Sequence, residues 1–392
     1  MRHFAYLEAA EDTRLFYRPP VPFDRDSPAD RLAMALGATL YSPATRPDLA
    51  ADVRRQAAAG VTSMVLCLED AIADEEVPAA EDNVVRQLGR IADEAGDGDG
   101  PLLFVRVRTP EQVTGLTGRL GTAAGVLTGY VLPKFSEFSG PAFLQAMGDA
   151  AELAGRPLLA MPVLETPDIA SAETRLAALA AVSRLLGKYR DLTLAVRIGA
   201  TDLCGLYGLR RNSDLTIYDI TVAAGIIADI VNVLGRADGT GFTVTGPVWE
   251  YFESTERLFK PQLRRSPFAE HDELRLREQL MSRDLDGLIR EVALDLANGL
   301  TGKTVIHPSH VAPVHALHVV TREEYTDALA ILGRDGGGVM RSEYANKMNE
   351  ARPHRAWANA VLRRAEAYGV AADGITFVDL LAAGNSSLAG AR

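Results

Sequence analysis

Carboxylates stand where two apolar runs of this chain end. The run 158–164 is followed at once by Glu165, and the run 192–202 ends in Asp202. Carboxylate oxygens are the ligands that Mg²⁺ prefers, and two of them leave positions for water and substrate. If the runs are neighbouring parallel strands, about 4.8 Å apart, Glu165 and Asp202 can share one ion. Each could instead cap a helix, because Thr-Pro-Asp and Thr-Asp-Leu are both typical of helix starts.

The ends of the other apolar runs carry further polar and charged side chains: Ser42, Arg46, Glu69, Asp70, Arg106, Arg108, Lys134 and His307. Unpaired charges that converge would be costly, and a divalent cation with an anionic substrate would compensate them. Arg106 could grip a substrate carboxylate, and strand alternation would place Arg108 on the same face. The alternative for Arg106 is a salt bridge to Glu69 or Asp70. These two carboxylates could themselves cap a helix or bind metal-bound water.

Lys134 opens a different chemistry. A lysine at this position could form a Schiff base with a carbonyl substrate, which is the metal-free route to aldol cleavage. That role requires a buried lysine with a lowered pKa, whereas a lysine at a strand end is more often solvated or paired. We therefore expect Lys134 to bind substrate, with the Schiff base as the alternative.

Four of the seven histidines are clustered near the end of the last run, at His307, His310, His315 and His318. Their spacing loosely suggests zinc, but no cysteine is near them and no common ligand pattern fits. A zinc site is therefore not predicted, and the role of the cluster stays open.

Eight short β-rich runs, separated by segments with helical spacing, must position these side chains. The runs are 38–43, 63–70, 102–108, 129–135, 158–165, 192–202, 241–249 and 303–308. Their continuous apolar character is typical of parallel strands covered on both faces. Eight such units predict an α/β fold of the TIM (β/α)8 barrel class, whose chemistry lies at the carboxyl ends of the strands. An open doubly wound sheet is the alternative, but no run is followed by a Gly-rich dinucleotide motif.

We expect three regions along the chain: an N-terminal arm at 1–37, a barrel at 38–330, and a C-terminal helical extension at 331–392. Helices are predicted between the runs at 47–60, 79–95, 141–154, 168–188, 217–235 and 285–299. The segment 250–284 is long and charged, so it could be a lid or an inserted helical hairpin. The segment 343–370 is predicted as one or two helices, and the last residues as a frayed tail.

Composition limits the class of partner. The net charge is −11, and the arginines are scattered rather than gathered into a stripe, which argues against nucleic acid. No apolar run is long enough for a membrane span, and the N-terminus lacks the features of a signal peptide. With only two cysteines, the chain is expected to be a cytoplasmic protein without disulfides, acting on a small anionic molecule.

Seven motifs in order resemble those of the citrate lyase β-subunit-like enzymes of the wider aldolase/citrate lyase superfamily. They are SPATRPD (42–48), VLCLEDAI (65–72), FVRVRT (104–109), YVLPKF (130–135), MPVLET (161–166), IGATDLCGLYG (198–208) and GLTGKTVIHPSHV (299–311). The resemblance spans about residues 38–370. Within the superfamily the chain is most similar to the TIM-barrel C–C bond lyase branch, which is associated with tellurite-resistance and stress-response gene clusters.

The resemblance implies a Mg²⁺-dependent lyase, or one using Mn²⁺, that acts on a small oxo- or hydroxy-acid or its CoA thioester, commonly as a homo-oligomer. It makes Glu165 and Asp202 the metal ligands and places Arg106 against the enolate oxygen. The remaining implied site residues are Glu69 and Asp70 beside the metal, and Ser42, Arg46 and Lys134 toward the substrate.

The chain departs from the family pattern at Ala44, Arg108 and His310. These departures bear on the acyl-CoA substrate more than on the metal, and the extra arginine suggests a more anionic small substrate. Besides the Schiff-base aldolase, a non-catalytic barrel subunit of a stress-response complex is an alternative.

Overall fold

Eight parallel strands form the centre of the fold. The computed structural model describes residues 1–94, 100–252, 285–334 and 338–390. The strands are β1 (Ala38–Pro43), β2 (Ser63–Cys67), β3 (Leu102–Arg106), β4 (Leu127–Leu132), β5 (Leu159–Leu164), β6 (Arg197–Ile198), β7 (Gly246–Trp249) and β8 (Lys303–Val305). They pair in the order β6-β5-β4-β3-β2-β1-β8-β7. A parallel bridge between Val196 and Val244 joins the two edges, so the sheet curls into the predicted TIM barrel.

The apolar runs form strands because helices cover their outer face while side chains fill the barrel. Every residue of β2, β4 and β5 is buried. Continuous burial is the reason that these runs are apolar throughout rather than alternating. The predicted positions of all eight strands are confirmed, although most strands are shorter than the runs.

Helices follow the strands around the barrel. They are Leu49–Ala58, Val77–Glu94, Pro110–Leu120, Gly140–Ala154, Arg175–Lys188, Thr221–Leu234, Leu285–Ala297 and Val311–His318. The sequence analysis missed Pro110–Leu120 and Val311–His318. Pro110–Leu120 contains Gly115 and Gly118, which lower helix propensity and weaken its pattern.

The chain termini pack against the barrel. The arm contains the helices Ala9–Leu15 and Ala29–Ala35, and its strand Phe16–Arg18 pairs antiparallel with Val370–Ala371. Buried residues at both ends, Phe4, Leu15 and Leu381, belong to the same apolar core as the barrel residues. A second, smaller core lies between the helices Arg322–Leu332 and Arg355–Tyr368. The domain boundaries at 37/38 and 330/331 stay a prediction.

The structure corrects the prediction for the C-terminal region. Residues 343–354 are not helical: Val339–Arg341 and Met348–Glu350 pair as an antiparallel hairpin, and only Arg355–Tyr368 forms the predicted helix. Residues Phe377–Gly390 form a helix, and the predicted fraying of the tail stays a prediction. The predicted lid or hairpin at 250–284 lies, from residue 253 onward, outside the described residues.

Two histidines of the cluster hold the amino ends of strands. His315 Nε2 accepts from the backbone N–H of Ala38 at 3.1 Å, and His318 Nε2 accepts from that of Gly302 at 2.8 Å. Burial lowers the pKa of both imidazoles, so they act as neutral acceptors. Within the described ranges, no group of three or more His, Cys, Asp and Glu side chains could hold a metal ion.

Among the helices of the described residues, none is both long and apolar enough to cross a membrane.

The barrel wall leaves no room for a side chain at Gly129 on β4. A Cβ there would lie 1.7 Å from the carbonyl oxygen of Leu159 on β5. Gly129→Ala must therefore push two paired strands apart, and we expect its thermal unfolding midpoint to fall by about 5 °C or more.

Gly115→Ala is the matched control, because a Cβ at this exposed helical glycine meets nothing within 4 Å. It should leave the midpoint unchanged or raise it slightly. Equal midpoints for Gly129→Ala and the wild type would show that β4 and β5 leave room for a Cβ at this position, contrary to the close contact with Leu159.

Candidate active site

The guanidinium of Arg106, the last residue of β3, joins three carboxylates at one end of the barrel. Its Nη2 lies 2.6 Å from Glu69 Oε2, 3.1 Å from Glu165 Oε1 and 3.3 Å from Asp70 Oδ2. Burial alone would lower the pKa of Arg106, but the charges of Glu165 and Glu69 raise it. Three of the predicted site carboxylates therefore meet around one predicted site cation.

Glu165 is the most buried of these carboxylates, with a side chain only 1% exposed. Burial raises its pKa to about 7, the charges of Asp202 and Glu69 act in the same direction, and Arg106 opposes them. Among the described residues, hydrogen-bond donors reach Oε1 of Glu165 but not Oε2. A carboxyl group that titrates near neutral pH at the carboxyl end of a barrel strand is a strong candidate for function.

Lys134 supports Glu165 through its backbone. It adopts a left-handed conformation, with φ of 47°, and its N–H donates to Glu165 Oε1 at 2.9 Å. Such a conformation is strained for a residue with a side chain, and strain of this kind is concentrated at functional sites. The ammonium group pairs with Glu69 and lies 3.5 Å from Asp70 Oδ1.

These pairings oppose Schiff-base chemistry at Lys134. Burial alone would lower its pKa, but the hydrogen bond to Glu69 and the charges of Glu69 and Asp70 raise it, and the side chain is 53% exposed. A Schiff-base lysine needs the opposite, an amine that is neutral near pH 7.

Arg108 does not join the ion-pair cluster around Arg106, contrary to the alternation argument. β3 ends at Arg106, and Arg108 turns toward the loop after β2. There it pairs with Asp74 and donates to the carbonyl oxygens of Leu68 at 2.7 Å and Ile72 at 2.9 Å. Arg108 therefore fixes the loop that carries Glu69 and Asp70, and its predicted contact with an anionic substrate stays a prediction.

Asp202 does not end a strand, because β6 stops at Ile198. Asp202 lies in the first turn of a short helix, Ala200–Gly205. Its charge raises the pKa of Glu165, so the two carboxylates are close enough to interact. Among the described residues, no side chain pairs with the carboxylate of Asp202.

Gly199 is a site residue that the sequence analysis missed. A Cβ there would lie 2.0 Å from Glu165 Oε2, so any side chain would displace the carboxylate. The Gly of the motif IGATD precedes the helix and could have been taken for an ordinary turn residue, and only the packing reveals its role.

The structure does not bring Ser42 and Arg46 into the cluster. Ser42 alternates with Tyr41 on β1 and so faces the surrounding helices. The guanidinium of Arg46 pairs with Asp52 at 2.6 Å on the outer helix Leu49–Ala58. These positions give no support to the predicted binding of substrate by Ser42 and Arg46, which stays a prediction.

A cleft of about 730 Å³ opens beside the cluster. Its lining includes Glu69, Asp70, Arg108, Pro110, Lys134 and Phe143. Its volume is within the range of small-molecule sites, and it carries both acidic and basic groups.

The fold and this arrangement agree with a family match. The family model for C–C bond lyases of the TIM-barrel fold matches residues 30–370. The chain therefore belongs to this family of C–C bond lyases, as the sequence motifs predicted.

Solved structures of similar fold include a citrate lyase from Burkholderia xenovorans, with 17% identity and a TM-score of 0.60 over 88% of this chain and 96% of that chain. CitE from Mycobacterium tuberculosis, in complex with magnesium, acetoacetate and coenzyme A, has 21% identity and a TM-score of 0.49 over 85% and 99% of the two chains. No match was found among curated proteins.

The raised pKa of Glu165 predicts how stability depends on pH in the absence of metal. Its folded-state pKa of about 7 exceeds the ordinary value of 4.5. Between these values the folded state retains a proton that the unfolded chain has lost, so stability falls as pH rises and levels off above about 7. Glu165→Gln lacks this loss, and in EDTA it should unfold at a higher temperature than the wild type at pH 8 but not at pH 5.

Glu173→Gln, at an exposed carboxylate after the same strand, is the control and should track the wild type at both pH values. A difference between Glu165→Gln and the wild type that stays constant from pH 5 to pH 8 would contradict the burial argument.

Proposed function

We propose that this chain is a Mg²⁺-dependent lyase that makes or breaks a C–C bond beside a carbonyl in a small oxo- or hydroxy-acid or its CoA thioester. The observation that carries the proposal is the Glu165–Asp202 carboxylate pair. One member is buried with a raised pKa, and the other has no partner among the described residues. Two interacting carboxylates in this state favour a cation between them.

The donor set fits a hard divalent ion. Glu165 Oε1 accepts from Arg106 and Lys134, and within the described ranges no donor reaches Oε2. Two carboxylates plus water and substrate oxygens are a common set of ligands for Mg²⁺, and Mn²⁺ accepts the same oxygens. When bound, the ion would supply Lewis-acid stabilisation of an enolate oxygen.

Arg106 is placed to stabilise developing negative charge. Nη2 makes all of its ion pairs to the three carboxylates, which fix the plane of the guanidinium. Among the described residues no acceptor engages Nη1, so its N–H groups are available to a substrate oxygen. A fixed donor that meets an oxyanion in a site of low dielectric is worth more than one that must reorganise.

Asp70 is a proton acceptor that the described residues offer. Its carboxylate is half-exposed beside the cleft. Burial would raise its pKa, but the hydrogen bond with Glu69 and the charges of Arg106 and Lys134 lower it. Asp70 is therefore ionised near neutral pH, as a general base must be, but its lowered pKa makes it a weak base, and Glu69 holds Arg106 and Lys134 in place.

The cleft beside the cluster has room for the proposed substrate class. Lys134 at its edge offers a positive charge to a carboxylate or a thioester chain, and about 730 Å³ holds a small acid with part of a larger carrier. Family membership favours this catalytic role over a non-catalytic barrel subunit. A homo-oligomer stays a prediction.

Mg²⁺ binding tests the carboxylate pair. Isothermal titration should give one site per chain for the wild type, and Glu165→Gln and Asp202→Asn should each weaken it at least tenfold by removing a ligand. Gly199→Ala keeps every charge but displaces Glu165, so it should also weaken binding.

Gly205→Ala is the control for Gly199→Ala, because a Cβ at Gly205 meets nothing within 4 Å. It should bind Mg²⁺ like the wild type. Mg²⁺ binding that is unaffected by Glu165→Gln would contradict the proposed site.

Activity distinguishes the metal route from the Schiff base. We expect product NMR on a panel of oxo-acids, hydroxy-acids and CoA thioesters to show cleavage that EDTA abolishes and Mg²⁺ restores. Arg106→Lys should lower kcat about 100-fold, because it loses the planar donors. Cleavage that resists EDTA, together with a borohydride-trapped adduct on Lys134, would establish the alternative instead.

A further inference from the structure

Arg197 is a fully buried arginine inside the barrel that plays no part in the chemistry above. It lies on β6 and is 1% exposed. Its Nη2 donates to Thr304 Oγ1 at 2.7 Å and its Nη1 to Thr39 Oγ1 at 3.3 Å. Within the described ranges, no carboxylate pairs with Arg197, and its Nε has no acceptor.

A buried charge without a counter-charge is unfavourable, so its retention needs a reason. Burial lowers the pKa of Arg197, but an arginine stays protonated in proteins. A neutral side chain could hydrogen-bond to Thr39 and Thr304 without this desolvation cost. The feature that only arginine supplies here is a permanent positive charge in the interior of the barrel.

This charge lies behind the active-site cluster. The guanidinium carbon is 5.5 Å from the centre of the Tyr41 ring. Tyr41 follows Thr39 by two residues on β1, so it shares the inward face and lies nearer the carboxyl end. Burial raises the pKa of Tyr41, whereas the charges of Arg197 and Arg106 both lower it. Tyr41 therefore lies between the buried cation and the cluster around Arg106.

We propose that the positive charge of Arg197 raises the affinity of the barrel mouth for an anionic oxo- or hydroxy-acid. This inference rests on the proposed function, since it takes Mg²⁺ and the acid to bind at the same mouth. The charge attracts the acid and repels the metal ion. Its removal must therefore change the two affinities in opposite directions, which a loss of folding cannot do.

The test is calorimetry on the full chain with Arg197→Met. Mg²⁺ is titrated alone, and oxalate, which resembles the enolate of an oxo-acid, is titrated at saturating Mg²⁺. We expect the Kd of oxalate to rise about tenfold, the effect of one charge over roughly 10 Å at a dielectric of about 20, and the Kd of Mg²⁺ to fall.

Thr304→Val removes a hydrogen bond of Arg197 without changing its charge, so both affinities should match the wild type. Unchanged constants in Arg197→Met, or an oxalate loss in Thr304→Val as large as that in Arg197→Met, would overturn the inference. Arg197→Gln is the second neutral variant if the methionine variant does not fold. If neither neutral variant folds, the charge of Arg197 is needed for folding rather than for binding the acid, and the inference is overturned.

The proposed function fails separately. A wild type that binds no Mg²⁺ would overturn the proposed function and this inference with it. Normal Mg²⁺ binding that is lost in Glu165→Gln but unaffected by the charge at position 197 would leave the proposed function intact and overturn only the inference.

Discussion

The site depends on keeping the carboxylate of Glu165 buried and yet able to ionise. Burial and nearby carboxylates raise its pKa to about 7, so the charge is only marginally tolerated. Three other segments offset this cost. Arg106 on β3 supplies a cation, Lys134 after β4 turns its N–H toward the oxygen, and Gly199 after β6 leaves space for the side chain. The barrel brings these segments together because parallel strands present all their carboxyl ends at one rim.

Charge balance explains what the rim can hold. Glu69, Asp70, Glu165 and Asp202 are acidic, and the cations among them are Arg106 and Lys134. The excess of negative charge suits a divalent ion. With the proposed ion bound, the mouth would no longer repel an anionic acid. The buried charge of Arg197 adds to this attraction without occupying space in the mouth.

Much of this site could be predicted from sequence because apolar runs locate strands and the charges at their ends locate the rim. Glu165, Arg106, Glu69 and Asp70 were found in this way, and the structure brings them together. Arg108 was misplaced because β3 stops at Arg106, so strand alternation does not extend to it. Asp202 was placed on a strand because the turn after Ile198 leaves no periodic signal.

The contributions that sequence could not reveal come from packing. Gly199 matters only because Glu165 occupies the volume of a Cβ, and that contact joins segments far apart in the chain. Arg197 lies in an otherwise apolar run. The sequence pattern alone does not show whether a carboxylate pairs with it. The second strand of the hairpin, Met348–Glu350, was taken for helix because short, exposed strands lack the apolar alternation that would identify them.

Anomalous scattering from a crystal soaked in Mn²⁺ tests the metal site at Glu165 and Asp202. We expect one strong peak at the barrel mouth, about 2.2 Å from one oxygen of Glu165 and one of Asp202, with the remaining coordination positions open to water or substrate. A peak bound by other residues, or a mouth without metal in which Arg106 alone meets the carboxylates, would contradict it.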